Sequence, residues 1–154
     1  MKSMVEERLR AYAKHRDNNL PDNILYYRDG IDDGQYTAVR TVEVRAIREA
    51  YDEVNKDDKG ISPSSPIRIT AIVVAKRHHK RFYPTDKEYG SRQGSGNCYP
   101  GTCVEAGVVS PWYNDFYLQS HNGIKGTAKP AHYFVLQDGI GIYNDIQKIV
   151  SNKA

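Results

Sequence analysis

Ile24-Leu25-Tyr26-Tyr27-Arg28-Asp29-Gly30 is a short apolar, aromatic-rich run that ends on an aspartate and then turns on glycine. The β-branched and aromatic residues that follow Asn23 predict a buried strand, and Gly30 and Gly34 predict the turn after it. From Gln35 to about Val54, Ala38, Val42, Ala46, Ile47, Ala50 and Tyr51 recur every three to four positions. That spacing predicts a helix of about four or five turns laid on a sheet. Lys56 to Pro66 is charged, with Gly60 and two prolines, and reads as a loop. Ile67-Arg68-Ile69-Thr70-Ala71-Ile72-Val73-Val74 is the strongest strand signal, too continuous in its second half for a solvent-facing edge. Strand, helix and strand with a crossover of this length predict neighbouring strands in a parallel βαβ connection, hence an α/β fold built on a mixed sheet.

Outward from that unit the signals weaken. Met4, Val5, Leu9, Tyr12 and Ala13 share one face of a helix over residues 3–16, and Asp17 to Leu20 form a polar turn. Residues 83–101 hold four glycines and two prolines and read as a long loop or weak hairpin. Cys103 to Val109 and Asp115 to Ser120 read as strands joined through Pro111-Trp112-Tyr113. His132 to Leu136 reads as a short strand or the lead into a helix, and Asn144 is placed to cap a last helix from Asp145 to about Val150. No linker or repeat divides the 154 residues, a length that supports one core.

Composition narrows the function classes. With 22 Lys and Arg against 19 Asp and Glu the formal net charge is +3, so nucleic-acid binding has to come from local patches. No apolar run reaches membrane-spanning length and residues 1–20 are too polar for a signal peptide, so no membrane partner is expected. Two cysteines fit a reducing compartment better than a disulfide framework. Cys98 and Cys103, with His78 and His79, lack the second ligand pair that a structural zinc site needs.

Two features carry chemistry on residue type alone, each with an ordinary structural alternative. Asp29 at a strand end can ligate Mg²⁺ or Mn²⁺ without burying its charge; turn formation or helix capping would explain it equally. Lys76-Arg77-His78-His79-Lys80-Arg81 follows directly from a buried strand, which suits phosphate contacts; a solvated strand end has the same composition.

The strand and turn Tyr26-Tyr27-Arg28-Asp29-Gly30-Ile31-Asp32-Asp33-Gly34-Gln35-Tyr36, the run Ile69 to Phe82, Gly96-Asn97, Pro100-Gly101-Thr102-Cys103-Val104-Glu105, Asp115-Phe116-Tyr117-Leu118-Gln119-Ser120-His121 and Gly123 to Tyr133 together resemble the PIWI domain of eukaryotic Argonaute proteins, in the family order. The resemblance covers most of residues 20–137. It implies a partial ribonuclease H-like fold, a mixed sheet flanked by helices, with residues 1–154 as the C-terminal portion of a PIWI domain truncated at both ends. It implies a small-RNA-guided RNA-binding and RNA-cleaving domain of RNA silencing, with guide and target RNA as partners.

By that resemblance Asp29 matches the second metal-binding aspartate and His132 the last ligand. The first aspartate and the loop glutamate would lie upstream of Met1, so the chain alone is expected to be inactive as an endoribonuclease, with Mg²⁺ or Mn²⁺ held in the complete domain and weakly or not at all here. Asp29 and His132 are expected to converge, with Lys76, Arg77, His78, His79, Lys80, Arg81, His121, Lys125, Thr127 and Lys129 along the RNA backbone. The rest of the PIWI domain and the MID domain would be partners, an exposed sheet edge would favour self-association, and the location would be the cytoplasm, with the nucleus as a second compartment. Two readings stand beside this one: a nucleic-acid-binding module without catalysis, and a degenerate fragment. Lys129 stands where the family usually has arginine, and Gln137-Asp138-Gly139 departs from its usual pattern.

Overall fold

The computed structural model describes residues 1–57, 66–86, 90, 96–121, 123, 126–143 and 145. Residues 58–65 of the expected Lys56 to Pro66 loop, Lys125 and the expected last helix beyond Asp145 lie outside the described residues. The elements are α1 (Lys2–Lys14), β1 (Asn23–Asp29), a 3₁₀ turn (Asp33–Gln35), α2 (Tyr36–Ala38), a π turn (Val39–Glu43), α3 (Val44–Asp57), β2 (Arg68–Ala75), β3 (Thr102–Val104), β4 (Asp115–Gln119) and β5 (Ala131–Asp138). The sheet order is β1-β2-β5-β4-β3, so β1 and β2 are neighbours as the strand–helix–strand pattern requires. Two compact units are present, one of Met1–Tyr26, Asp32–Ala71 and Leu136–Gly141, the other of Tyr27–Ile31, Ile72–Val135 and Ile142–Ala154.

The first unit is built on helix faces closing over strand starts. Leu9 and Ala13 of α1, Val44, Ile47, Tyr51 and Val54 of α3, and Leu20, Ile67, Ile69 and Ala71 form one buried cluster. Met4 and Tyr12, expected on the inner face of α1, are exposed. Val42 is likewise turned to solvent, at 65% exposure. The cause is the π turn, which inserts one residue, so the buried face passes from Val39 to Val44 in a step of five before the usual spacing resumes. From that turn Thr41 Oγ1 donates back to the Thr37 carbonyl of α2 at 2.9 Å. Thr70 Oγ1 donates to Asp138 Oδ1 at 2.8 Å and accepts from the Ile140 N–H at 3.1 Å, fastening the end of β5 to the start of β2. Gly139 brings its N–H to the Ile69 carbonyl at 3.0 Å.

In the second unit β3, β4 and β5 pair antiparallel, with Cys103 opposite Leu118, Phe116 opposite Tyr133 and Tyr117 opposite His132. Alternation then assigns the faces. Phe116, Leu118, Ala131, Tyr133 and Val135 share one, all buried, with the Phe116 and Tyr133 rings stacked at 5.0 Å. Asp115, Tyr117, Gln119, His132 and Phe134 share the other. His132 therefore lies in a strand of eight residues, not ahead of a helix. The strand expected from Cys103 to Val109 stops at Val104, and Gly107 takes a positive φ of 77° in the bends that follow.

Candidate active site and nucleic-acid interface

His132 is placed by register. Tyr117 stands directly opposite it, and Asp115 is the diagonal neighbour two residues away on the same face, within reach of a ring. Its Nε2 lies 2.7 Å from Asp115 Oδ2, and its ring lies flat on Tyr117, with centroids 4.2 Å apart and planes within 6°. Asp115 is buried, with 3% exposure, and its other oxygen, Oδ1, accepts the Ser110 N–H at 2.9 Å. A carboxylate taken out of water needs such partners. Asp115 was not a candidate from sequence; the signal that identifies it is a charged residue opening the otherwise buried run Asp115-Phe116-Tyr117-Leu118-Gln119.

The basic segment is divided by its surroundings. Lys76, Arg77 and His79 are exposed. His78 is turned inward: its Nε2 meets the Pro130 carbonyl at 2.9 Å, and its ring meets Tyr117 edge-on at 5.1 Å. Desolvation lowers its pKa, with the Lys129, His132 and Arg81 charges acting the same way and the Pro130 carbonyl opposing them. Lys80 Nζ donates to the Val108 carbonyl and lies 4.9 Å from the Tyr117 ring centroid. Arg81 donates to the Lys80 carbonyl at 2.8 Å. Of the six cluster residues, Lys76, Arg77, His79 and Lys80 are thus exposed, while His78, Arg81 and the Lys80 bond to Val108 hold the segment in place.

Residues before β5 are held by a buried amide. Asn97 Nδ2 donates to the Gly126 carbonyl at 2.9 Å and Asn97 Oδ1 accepts the Ala128 N–H at 2.7 Å, which fixes the backbone on both sides of exposed Thr127. Lys129 is half-buried beside this clamp, and His121 is exposed, with Nδ1 3.3 Å from Ser120 Oγ. The Cys103 thiol is pushed up to about 11 by burial and by Glu105, which disfavours a metal-binding thiolate.

Asp29 ends β1 in the same unit, exposed, with the following Gly30 N–H bonded to the Val74 carbonyl at 3.0 Å. An exposed carboxylate and an imidazole are donors suited to a divalent ion. Among the described residues, however, no group of three or more His, Cys, Asp or Glu side chains is arranged to hold a metal. The two candidates are therefore donors of the right kind without a complete ligand set.

The family model for the Piwi domain matches residues 1–152. The chain belongs to the Piwi-domain family. It is 41% identical to protein argonaute 2 of Oryza sativa subsp. japonica over 150 residues, covering 97% of this chain and 13% of that protein. It is 40% identical to protein argonaute-2 of Drosophila melanogaster over 138 residues, covering 90% of this chain and 10% of that one. This Piwi chain thus spans a small fraction of the length of its curated relatives. Among solved structures it is similar to Kluyveromyces polysporus Argonaute with a guide RNA, at TM-score 0.85 and 33% identity over 98% of this chain and 18% of that chain. It is also similar to the C-terminal lobe of a budding yeast Argonaute, at TM-score 0.81 and 32% identity over 92% of this chain and 29% of that chain. The mixed five-stranded sheet with helices is the ribonuclease H-like arrangement of the Piwi lobe, as the resemblance implied.

Proposed function

We propose that this chain is part of a small-RNA-guided Piwi domain that holds a guide–target RNA duplex by its sugar-phosphate backbone and contributes Asp29 and His132 to a metal-dependent cleavage site. The observation that carries it is the similarity, over 98% of the chain, to an Argonaute solved with a guide RNA. Exposed Lys76 and Arg77 at the end of β2 support a backbone contact, because cations on a rigid base neutralise phosphate without reading base edges. Mg²⁺ or Mn²⁺ held at Asp29 and His132 would supply Lewis-acid stabilisation and an activated water. The ligand set is completed outside these two residues, in the rest of the PIWI domain, so the 154-residue chain by itself binds RNA and does not cut it.

The test is a binding titration of a guide–target RNA duplex at several salt concentrations. Arg81 and Lys80 bond to backbone carbonyls, so reversing them would disturb the segment itself; Lys76→Glu with Arg77→Glu is the cleaner variant. Affinity is expected to fall regardless of base sequence, and the salt slope to flatten by about one for each phosphate that is no longer neutralised. Unchanged affinity and slope would reject this face.

A further inference from the structure

We propose that Asp115 is a positioning residue for His132, holding the imidazole as the Nε2–H tautomer so that Nδ1 keeps its lone pair for a divalent cation. The inference rests on the reading of His132 as a functional donor and deepens it. Both Asp115 oxygens are engaged: Oδ1 accepts the Ser110 N–H at 2.9 Å and Oδ2 faces His132 Nε2 at 2.7 Å. An ionised carboxylate only accepts, so in the neutral ring the proton resides on Nε2. A partner of this kind on the far nitrogen of a ligating imidazole fixes the tautomer and raises the basicity of the other nitrogen. Tyr117 fixes the remaining freedom, since stacking at 4.2 Å holds the ring plane. Asp115 at 3% and His132 at 19% side-chain exposure leave the pair mostly shielded from water that would otherwise compete for Nε2.

The geometry also dictates what an amide does in place of the carboxylate. In Asp115→Asn the Ser110 N–H still requires the side-chain oxygen, so the amide NH₂ is the group turned toward the ring. His132 Nε2 must then accept, the proton moves to Nδ1, and the lone pair offered to a cation is lost. Keeping Nε2–H would set two donors against each other.

The experiment is long-range proton–nitrogen correlation on the full chain labelled with ¹⁵N-histidine, above the pH range in which histidine titrates, with His132 assigned by its disappearance in His132→Gln. The wild type is expected to show a protonated, pyrrole-type Nε2 and a bare, pyridine-type Nδ1. In Asp115→Asn the Nδ1 resonance is expected to shift to the pyrrole-type region. A merely structural Asp115 would lower stability without exchanging the tautomer, and that result would overturn the proposal. So would an Nδ1–H ring in the wild type, a result that needs no variant to fold. Mn²⁺ added to the same samples reads the functional assignment separately. Broadening at His132 in the wild type and its loss in Asp115→Asn support both; an Nε2–H wild-type ring without broadening overturns the metal role of His132 and leaves the positioning by Asp115 standing.

Discussion

His132 and Tyr117 face each other across β4 and β5, and their rings lie in parallel planes with centroids 4.2 Å apart. The same Tyr117 ring receives the edge of His78 at 5.1 Å and of Phe82 at 5.5 Å, and Lys80 Nζ lies 4.9 Å from its centre. One buried phenol therefore ties the basic segment to the histidine. Tyr117→Ala is expected to lower stability by about 3–5 kcal/mol, as for other buried aromatics. Tyr117→Phe, which keeps every ring neighbour, should cost less than about 1.5 kcal/mol. Urea unfolding of the two variants checks the ordering; similar losses in both would mean that the hydroxyl, not the stack, matters.

His78 gives the fold a pH dependence with a definite sign. Burial holds its pKa below the ordinary 6.5, with Lys129, His132 and Arg81 pushing in the same direction. As pH falls through 6.5 the unfolded chain takes up a proton that the folded chain refuses, so stability drops until the folded pKa is reached. This contribution is complete above the ordinary histidine value. The melting temperature of the wild type is expected to fall between neutral pH and pH about 5.5, and His78→Gln should show a smaller fall. An equal fall in both would assign the effect to other groups.

Gly139 lies against backbone. A Cβ there would sit 2.6 Å from the Ile69 carbonyl oxygen, which cannot turn aside as a side chain would. Gly139→Ala is expected to destabilise by about 1–3 kcal/mol through overpacking. Gly34→Ala, where a Cβ meets nothing within 4 Å and φ is not positive, should be neutral or slightly stabilising. Equal melting temperatures for the two variants would contradict the close approach.

Asn97 holds the backbone around Thr127 with both ends of its amide, donating to Gly126 and accepting from Ala128. Asn97→Ala leaves the buried Ala128 N–H without this partner, at a cost of about 1–3 kcal/mol, and returns the carbonyl of exposed Gly126 to water. Amide exchange at Ala128 should accelerate while exchange in α3 changes little. Unaltered exchange at Ala128 would show that other interactions carry the loop.

The 154-residue chain is expected to show no Mn²⁺-dependent cutting of a guide-paired RNA, since Asp29 and His132 alone cannot confine two ions. Cleavage by highly purified chain that disappears in Asp29→Ala would refute this.

The order strand, helix, strand was legible because it rests on local periodicity, and Ile67 to Val74 announces a buried strand by composition alone. Asp29 and Gly30 at the end of β1 were legible for the same reason, since a strand end and its turn are set by a few neighbouring residues. The true buried face of the second helix was not. No local propensity marks the π turn, and only the tertiary fold decides that Val39 and Val44 are buried, Val44 in one cluster with Ile67, Ile69 and Ala71, while Val42 goes out. Nor could a string of residues show which members of the cluster are tied to distant backbone, because His78 meets a carbonyl 52 residues away and Lys80 one 28 residues away. The union of Asp115 with His132 belongs wholly to tertiary structure. Seventeen residues separate them, and the antiparallel register that sets Tyr117 opposite His132 is what brings the carboxylate to Nε2. A slip of one residue in that register would send the imidazole to the opposite face of the sheet, with the same sequence and the same strands.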